Sequence, residues 1–312
     1  MAVITAGAGQ LRAATFGTVV PIGGTPSDIA LDEARGVLYI ADFGCACIDV
    51  MRLSDNSIQS SINVASFPAA IALSPNGQYL VSVHYANYPT TSTATGGNLV
   101  TVINLSTQGQ TTYSLGSAPL GVSFVNTLGG DQGGLAVIAT ASNIMTLDPE
   151  TGEINVLVTL AEVTATVPQP APSYPGTFTA AAVNTSGDGW TAWAVASAGS
   201  SAQLIFWFNA LNGSVGYGLW STSPVLVPRV SVSKDGSHAM IGWVQFDQNL
   251  RTVARYPNIV ADSANNLAVT GHAWDSASNT LYAEIPDSAM VAAHPRQTRI
   301  KPRRSVRCRP CW

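Results

Sequence analysis

The sequence predicts an all-β fold assembled from repeated four-stranded antiparallel sheets. Three observations carry this. A pattern of apolar run, polar turn and apolar run recurs: "IALDEARGVLYIAD" at 29–42, "IALSPNGQYLVSV" at 71–83, "VSVSKDGSHAMIGW" at 230–243 and "HAWDSASNTLYAEI" at 272–285. Short runs rich in small and β-branched residues follow one another at hairpin spacing. No stretch sustains the three-to-four-residue apolar period of an amphipathic helix.

The repeat sets the elements in order. Anchored on the first run of each unit, Ile29, Ile71, Val122, Ala181, Val230 and His272 hold equivalent places, at steps of 42, 51, 59, 49 and 42 residues. Pro26, Pro68, Pro119 and Pro228 stand two or three residues ahead of four of them. Within the second unit, "AAIALS" (69–74) reads as strand one and "SPNG" as a type I turn. "QYLVSVHY" (78–85), "NLVTVINLS" (98–106) and "TTYSLG" (111–116) read as strands two, three and four. In the third unit "NIMTLDPETGEINVLVTL" (143–160) reads as strand, turn and strand, with Asp148 opening the turn and Gly152 supplying its permissive backbone. The long steps hold "YANYPTTSTATGGN" (85–98) and a Pro-rich stretch within 165–177, both without apolar periodicity and both read as surface loops. Four strands per unit at this period specify a β-propeller, whose blades fan around an axis. Small residues in strand one (Ala30, Ala70, Ala72, Ala180, Ala181 and Ala182) suit the crowding at that axis.

"GTPSDIALDEARGVLYIAD" (24–42), "FPAAIALSPNGQYLVSV" (67–83) and "TLDPETGEINVLVTL" (146–160) resemble the YVTN-type propeller repeats of bacterial surface and secreted proteins, a group that includes lactonase-like propellers. The resemblance spans roughly residues 16–285. It implies an extracytoplasmic location and, commonly, seven blades. About five full units and a partial one are countable here, so a ring truncated from seven blades is expected. "GHAWD" (271–275) holds the GH and WD pairs of WD40 repeats, but adjacent rather than well apart within a blade. "LDPETGEINVL" (147–157) is similar to part of the quinone-dependent dehydrogenase repeat, without its closing tryptophan.

The expected domain plan is an N-terminal extension (1–13), a propeller (14–288, with blades starting near 26, 68, 119, 178, 228 and 271) and a basic tail (289–312). "ATFGTVVPI" (14–22) reads as the outermost strand of a closing blade. Charge divides sharply. Residues 1–295 carry all 18 acids against seven bases, a net of −11, whereas residues 296–312 carry seven bases and no acid. The body should therefore repel nucleic acid. The tail, "AMVAAHPRQTRIKPRRSVRCRPCW", has two readings: a disordered segment for an anionic partner, or the product of a shifted reading frame. Charged residues make up only 10% of the chain, against about 25% in a typical domain. No run reaches the roughly 18 apolar residues of a membrane helix, and the first residues, "MAVITAGAGQLRAATFG", read as no signal peptide.

No catalytic residue, cofactor site or metal site is assigned from the sequence. Cys308 and Cys311 form a C-x-x-C without matching partners, and Cys45 and Cys47 read as two free thiols rather than a disulfide. His84, His238, His272 and His294 make no ligand pattern. No G-x-S-x-G elbow is present, and "GAGQ", "GDQGG" and "SAGSS" are loop glycines rather than phosphate cradles. Asp28, Asp32, Asp42 and Asp235 lie near inner strands or their turns and read as turn chemistry. Trp190, Trp193, Trp207, Trp220 and Trp243 cluster around "LIFWFN" (204–209), read as a strand buried between blades. The expected function is a non-catalytic binding or scaffold propeller that takes a protein or glycan through a ring face and the loops 85–98 and 165–177. The alternative is a metal-dependent, lactonase-like hydrolase, which needs carboxylate, Asn and His side chains converging at one mouth of the channel.

Overall fold

A computed structural model describes residues 20–84, 97–129, 133–165, 177–197, 202–221, 226, 228–255, 271–275 and 280–284. Five four-stranded antiparallel sheets and one two-stranded sheet follow one another along the chain. The first blade is β1 (Pro26–Asp32), β2 (Val37–Asp42), β3 (Cys47–Arg52) and β4 (Ser57–Asn63). The second is β5 (Pro68–Leu73), β6 (Tyr79–His84), β7 (Leu99–Asn104) and β8 (Gln110–Ser114). The third is β9 (Pro119–Val125), β10 (Leu135–Thr140), β11 (Asn143–Leu147) and β12 (Ile154–Thr159). A short helix, α1 (Leu160–Ala165), leads to β13 (Ala180–Thr185), β14 (Thr191–Ser197), β15 (Ala202–Asn209) and β16 (Ser214–Ser221). The fifth is β17 (Val230–Val232), β18 (His238–Ile241), β19 (Val244–Asp247) and β20 (Thr252–Arg255), and the last described pair is β21 (Gly271–Asp275) with β22 (Thr280–Glu284). In every sheet the strands pair in chain order. The first strands β1, β5, β9, β13, β17 and β21 neighbour one another in succession, as the inner strands of a propeller do.

The core is a series of slabs between blades rather than a central ball. Ala30, Tyr39 and Ile48 of blade one meet Ile71, Leu80 and Ile103 of blade two. Similar slabs join blades two and three, three and four, and four and five. Second strands are covered on both faces, so β6 and β14 are buried at every residue. Alternation along β14 then selects the neighbour. Ala192, Ala194 and Ala196 face blade three, while Trp193 and Val195 face blade five. Outer strands see solvent on one side, so β4 and β8 are mostly exposed.

The recurring polar turn has one hydrogen-bond plan. In blade two, Ser74 Oγ donates to Asn76 Oδ1 (2.8 Å) and accepts from Tyr79 N (2.9 Å), and Gln78 N donates to Asn76 Oδ1 (2.9 Å). Ser186 with Asp188, and Ser233 with Asp235, repeat it. The serine hydroxyl is buried and satisfied inside the turn, which explains a polar residue at the end of an apolar strand. The glycine that follows takes a left-handed backbone, at φ 79° for Gly189. These turns also receive the preceding blade: Asn126 N donates to Gly189 O, Asp188 N to Lys234 O, and Arg35 Nη1 to Gly77 O.

Three sequence expectations are corrected. Aligned on Ser74, Ser186 and Ser233, the residue equivalent to Ile71 in blade four is Val183, not Ala181; the alanine run had hidden a two-residue offset. Residues 20–22 of the strand expected at 14–22 are not strand, and 14–19 lie outside the described residues. Residues 160–165, whose first residue closes the strand read at 143–160, form α1 instead. Thr159 caps it, since its Oγ1 accepts from Glu162 N (3.1 Å) while Glu162 Oε2 accepts from Thr159 N (2.7 Å). This T-x-x-E capping box is a local sequence signature that overlaps the apolar run "INVLVTL". The extension 1–13, the tail 289–312, loop residues 85–96 and 166–176, His294, Cys308 and Cys311 lie outside the described residues.

The glycine turns give a stability test. Gly189 and Gly213 both have positive φ (79° and 69°), but a Cβ at Gly189 would lie 2.4 Å from Asn126 Nδ2, whereas one at Gly213 would meet nothing within 4 Å. Gly213→Ala should cost about 1 kcal/mol, from the backbone alone. Gly189→Ala should cost roughly 2–4 kcal/mol, because it also displaces the Asn126 side chain that bonds Asp188 O across the junction of blades three and four. Urea unfolding of both variants checks the difference; equal losses would refute the inter-blade role of this turn.

Candidate functional site

Two surfaces are built by the propeller geometry: the axial channel and the two ends of the blades. Inner strands have no sheet partner on their axial edge, so their backbone groups need other partners. Side chains supply several of these between blades. Ser27 Oγ donates to Pro68 O (2.7 Å), and Asp28 Oδ2 accepts from Ile71 N (3.0 Å). Thr185 Oγ1 donates to Phe124 O (2.6 Å), Asn184 Nδ2 to Val230 O (3.1 Å) and Ser231 Oγ to His272 O (2.9 Å). Burial raises the Asp28 carboxyl above the ordinary range, opposed by the amides of Ile71 and Ile29. The channel between these strands encloses about 680 Å³ beside β1, β5, β9 and β13 and about 280 Å³ beside β13, β17 and β21.

The Ser231–His272 pair was not anticipated. Ser231 Oγ lies 2.7 Å from His272 Nδ1 and 2.9 Å from its carbonyl oxygen. A serine has one hydrogen and a carbonyl only accepts, so both contacts are satisfied when Nδ1 carries the ring proton. Nε2 is then an acceptor; it is buried and has no partner among the described residues. Burial, with Arg229 nearby, pulls the His272 ring down to about 4. The available signal was polar residues inside otherwise small or apolar first strands: Ser123, Asn184 and Ser231.

The carboxylates do not converge. Asp28 and Asp32 lie four residues apart on β1, roughly 13 Å along a strand. Asp32 accepts from Arg35 N and pairs with its guanidinium (2.7 Å), and Asp235 closes its own turn with Ser233 and Ser237. Asp42 lies opposite Pro26, at the end of blade one away from Asp32, with its Oδ1 held by Thr25 N and Gly44 N. His84 and His272 bind within blade two and between blades five and six, so the fold does not pair them. His238 Nδ1 contacts Ser237 Oγ beside its turn. Trp193, Trp207, Trp220 and Trp243 fill the slab between blades four and five. Trp193 is wholly buried and donates to Gly236 O (3.0 Å), Trp207 donates to Gln248 O (2.7 Å), and Trp220 stacks edge-on to Phe246 under the Arg255 guanidinium.

Chain direction sorts the connections between two ends. One end carries the turns between strands one and two and between strands three and four, most of them tight. The other carries the connections between strands two and three and from blade to blade. Both stretches read as insertions, 85–98 and 165–177, attach at this second end, the loop face, where β6, β7 and α1 terminate. Polar residues at the ends of second strands fasten it. Asp42 Oδ1 accepts from Thr25 N (2.8 Å) and Gly44 N (2.7 Å). His84, fully buried, holds Ser66 O (3.0 Å) through Nδ1, so Nε2 must accept from Thr101 Oγ1 (3.0 Å), which in turn accepts from Thr112 (3.1 Å). Beside Asp42, Phe43 and the half-exposed Phe67 pack with ring centroids 5.2 Å apart. Cys45 and Cys47 are joined in a disulfide, Cα atoms 5.2 Å apart, correcting the free-thiol expectation. Ala46 between them takes a positive φ (55°) that folds the turn back.

Comparisons with known proteins agree on the fold. No family model matches the chain. A 68-residue segment, 22% of the chain, is 38% identical to Antigen Lp49 of Leptospira interrogans (serogroup Icterohaemorrhagiae, serovar copenhageni, strain Fiocruz L1-130) and spans only 15% of that protein. Among solved structures, Kuenenia stuttgartiensis hydrazine synthase is similar over 86% of this chain and 76% of its own, with TM-score 0.61 and 18% identity. The RRP9 WD40 repeats match over 85% and 74% (TM-score 0.57, 10% identity). The Cps50 (Swd1) β-propeller domain of Myceliophteria thermophila matches over 83% and 79% (TM-score 0.54, 11% identity). At these identities the likeness concerns the fold: the protein is an all-β propeller. The YVTN repeats remain a resemblance of sequence. Among the described residues no helix is long and apolar enough to cross a membrane.

His84 makes the loop face acid-sensitive. Burial pulls its ring down to about 4, opposed by the Ser66 and Phe67 carbonyls. A folded value below the unfolded 6.5 means that protons favour the unfolded chain. The stabilisation is complete above about pH 6.5, is lost progressively toward pH 4, and amounts to about 3 kcal/mol at most. Urea midpoints should fall across this window, and His84→Gln should flatten the fall by roughly half, His272 accounting for the remainder. An unchanged pH profile in His84→Gln would refute the assignment.

Proposed function

We propose that this protein is a non-catalytic binding propeller of the cell surface or secreted type, which takes a protein or glycan on its loop face. The observation that carries the reading is the attachment of both insertions, 85–98 and 165–177, to one end of the blades while the other end is mostly tight turns. Loops raised on a rigid scaffold are the common seat of recognition. The fastened strand ends beneath them, at Asp42 and His84, supply that rigidity. Polar groups of the inner strands are largely engaged in joining blades, which leaves the channel with few groups free for chemistry.

Two observations support an extracytoplasmic setting. A cysteine pair joined as a disulfide suits an oxidising compartment. The matched Leptospira protein is named an antigen, a word for molecules that antibodies recognise. The lactonase-like alternative requires carboxylates gathered at a channel mouth, and Asp28, Asp32, Asp42 and Asp235 are dispersed.

The test replaces residues 85–96 and 166–176 with short Gly-Ser linkers and measures binding to an immobilised panel of glycans and extracellular-matrix proteins. Binding present in the parent chain and lost in the replacement, with an unchanged thermal midpoint, is the expected result. A Leu211→Ser change on the opposite face should leave binding intact. Chelator-sensitive lactone hydrolysis by the parent chain would overturn the reading.

A further inference from the structure

The turn between β2 and β3 gathers three metal-ligating side chains. The donor atoms of Asp42, Cys45 and Cys47 all lie within 4.8 Å of one another. Asp42 is buried at 5% exposure and Cys47 at 5%, while Cys45 faces solvent. The carboxylate is held in place before any ligand arrives, because its Oδ1 accepts from the amides of Thr25 and Gly44. One carboxylate oxygen lies within 4.8 Å of both sulfurs. The backbone makes room for it: a Cβ at Gly24 would lie 1.8 Å from Oδ2, so only glycine fits beside this carboxylate. The positive φ of Ala46 brings the two sulfurs to one side of the turn.

We propose that this turn is a redox-gated site for a thiophilic divalent cation of the zinc class, with Asp42, Cys45 and Cys47 as ligands. In the disulfide the sulfurs carry no thiolate and the site is closed. A dithiol opens it: two electrons and two protons pass to Cys45 and Cys47 as the dithiol becomes a disulfide. Metal binding then releases both thiol protons. Two thiolates and a carboxylate place three negative charges around a dication, and sulfur ligands select zinc-like ions over calcium or magnesium. Metal–sulfur bonds of about 2.3 Å require the released sulfurs to sit roughly 3.7 Å apart, a separation that side-chain rotation in one short turn can supply. The amides on Oδ1 orient the carboxylate as outer partners do in known metal sites. The fourth position opens on the side of Cys45, on the loop face.

The experiment uses the full chain with Cys308→Ser and Cys311→Ser, which removes the other thiol pair. Free thiols are counted before and after a water-soluble phosphine, which becomes its oxide at the expense of water. Co²⁺ is then titrated while thiolate-to-cobalt absorption is followed in the near ultraviolet, and Zn²⁺ is measured by equilibrium dialysis. The expected result is no free thiol and no Co²⁺ band before reduction, then two thiols and one Co²⁺ per chain. Cys45→Ser, at an exposed position, should abolish the band without unfolding the protein. Asp42→Asn should weaken Zn²⁺ binding at least 10-fold. Two free thiols before reduction would overturn the gate. A reduced, folded chain that binds no Co²⁺, or a Cys45→Ser chain that still shows the band, would overturn the site.

Discussion

A four-stranded sheet that is apolar on both faces cannot stand alone in water, and this constraint governs the molecule. Each blade covers its neighbours, and the buried slabs lie between blades. Full burial of a Leu, Ile or Phe side chain contributes about 1.5–3 kcal/mol. Trp193, Phe206, Phe246 and Ile40 are wholly buried. Stability therefore depends on how blades meet. β14 shows the device clearly: alanines toward blade three accept that blade's larger side chains, and Trp193 and Val195 fill the space toward blade five.

The polar groups of the fold serve the same meeting of blades. Ser74, Ser186 and Ser233 are buried at strand ends and satisfied within their turns. The turns then accept bonds from the preceding blade, as Gly236 O does from Trp193 Nε1. Along the axis, Asp28, Thr185, Asn184 and Ser231 satisfy inner-strand backbone that no further strand reaches. A polar residue in an inner strand of this protein is thus first a joint between blades. The Ser231–His272 pair is such a joint as well, and in addition leaves Nε2 without a partner among the described residues.

The long connections collect on the loop face for a geometric reason. Chain direction reverses at every hairpin, so connections of one kind collect at one end of all blades. An insertion between strands two and three and another between blades emerge on the same side. Asp42 and His84 anchor that side from within the second strands, and the Cys45–Cys47 turn and the Phe43–Phe67 pair stand beside them.

The repeating strands, the turn between strands one and two and the buried character of "LIFWFN" are legible from the chain alone. These depend on near neighbours in the chain: Ser, Asn or Asp and Gly at fixed offsets, and short β-branched runs. The Thr159–Glu162 capping box was equally local and was obscured only by the apolar run ahead of it. Ala181 stands two residues out of step with the other anchors, because identical alanines carry no register, whereas Ser186 does. That Cys45 and Cys47 join follows from the folded turn, in which Ala46 takes a positive φ. The tertiary structure alone brought Ser231 to His272, 41 residues apart in the chain, and scattered the four aspartates. Such sites depend on which strands become neighbours across blades. That choice is made by burial of whole sheet faces and leaves no fixed spacing in the sequence.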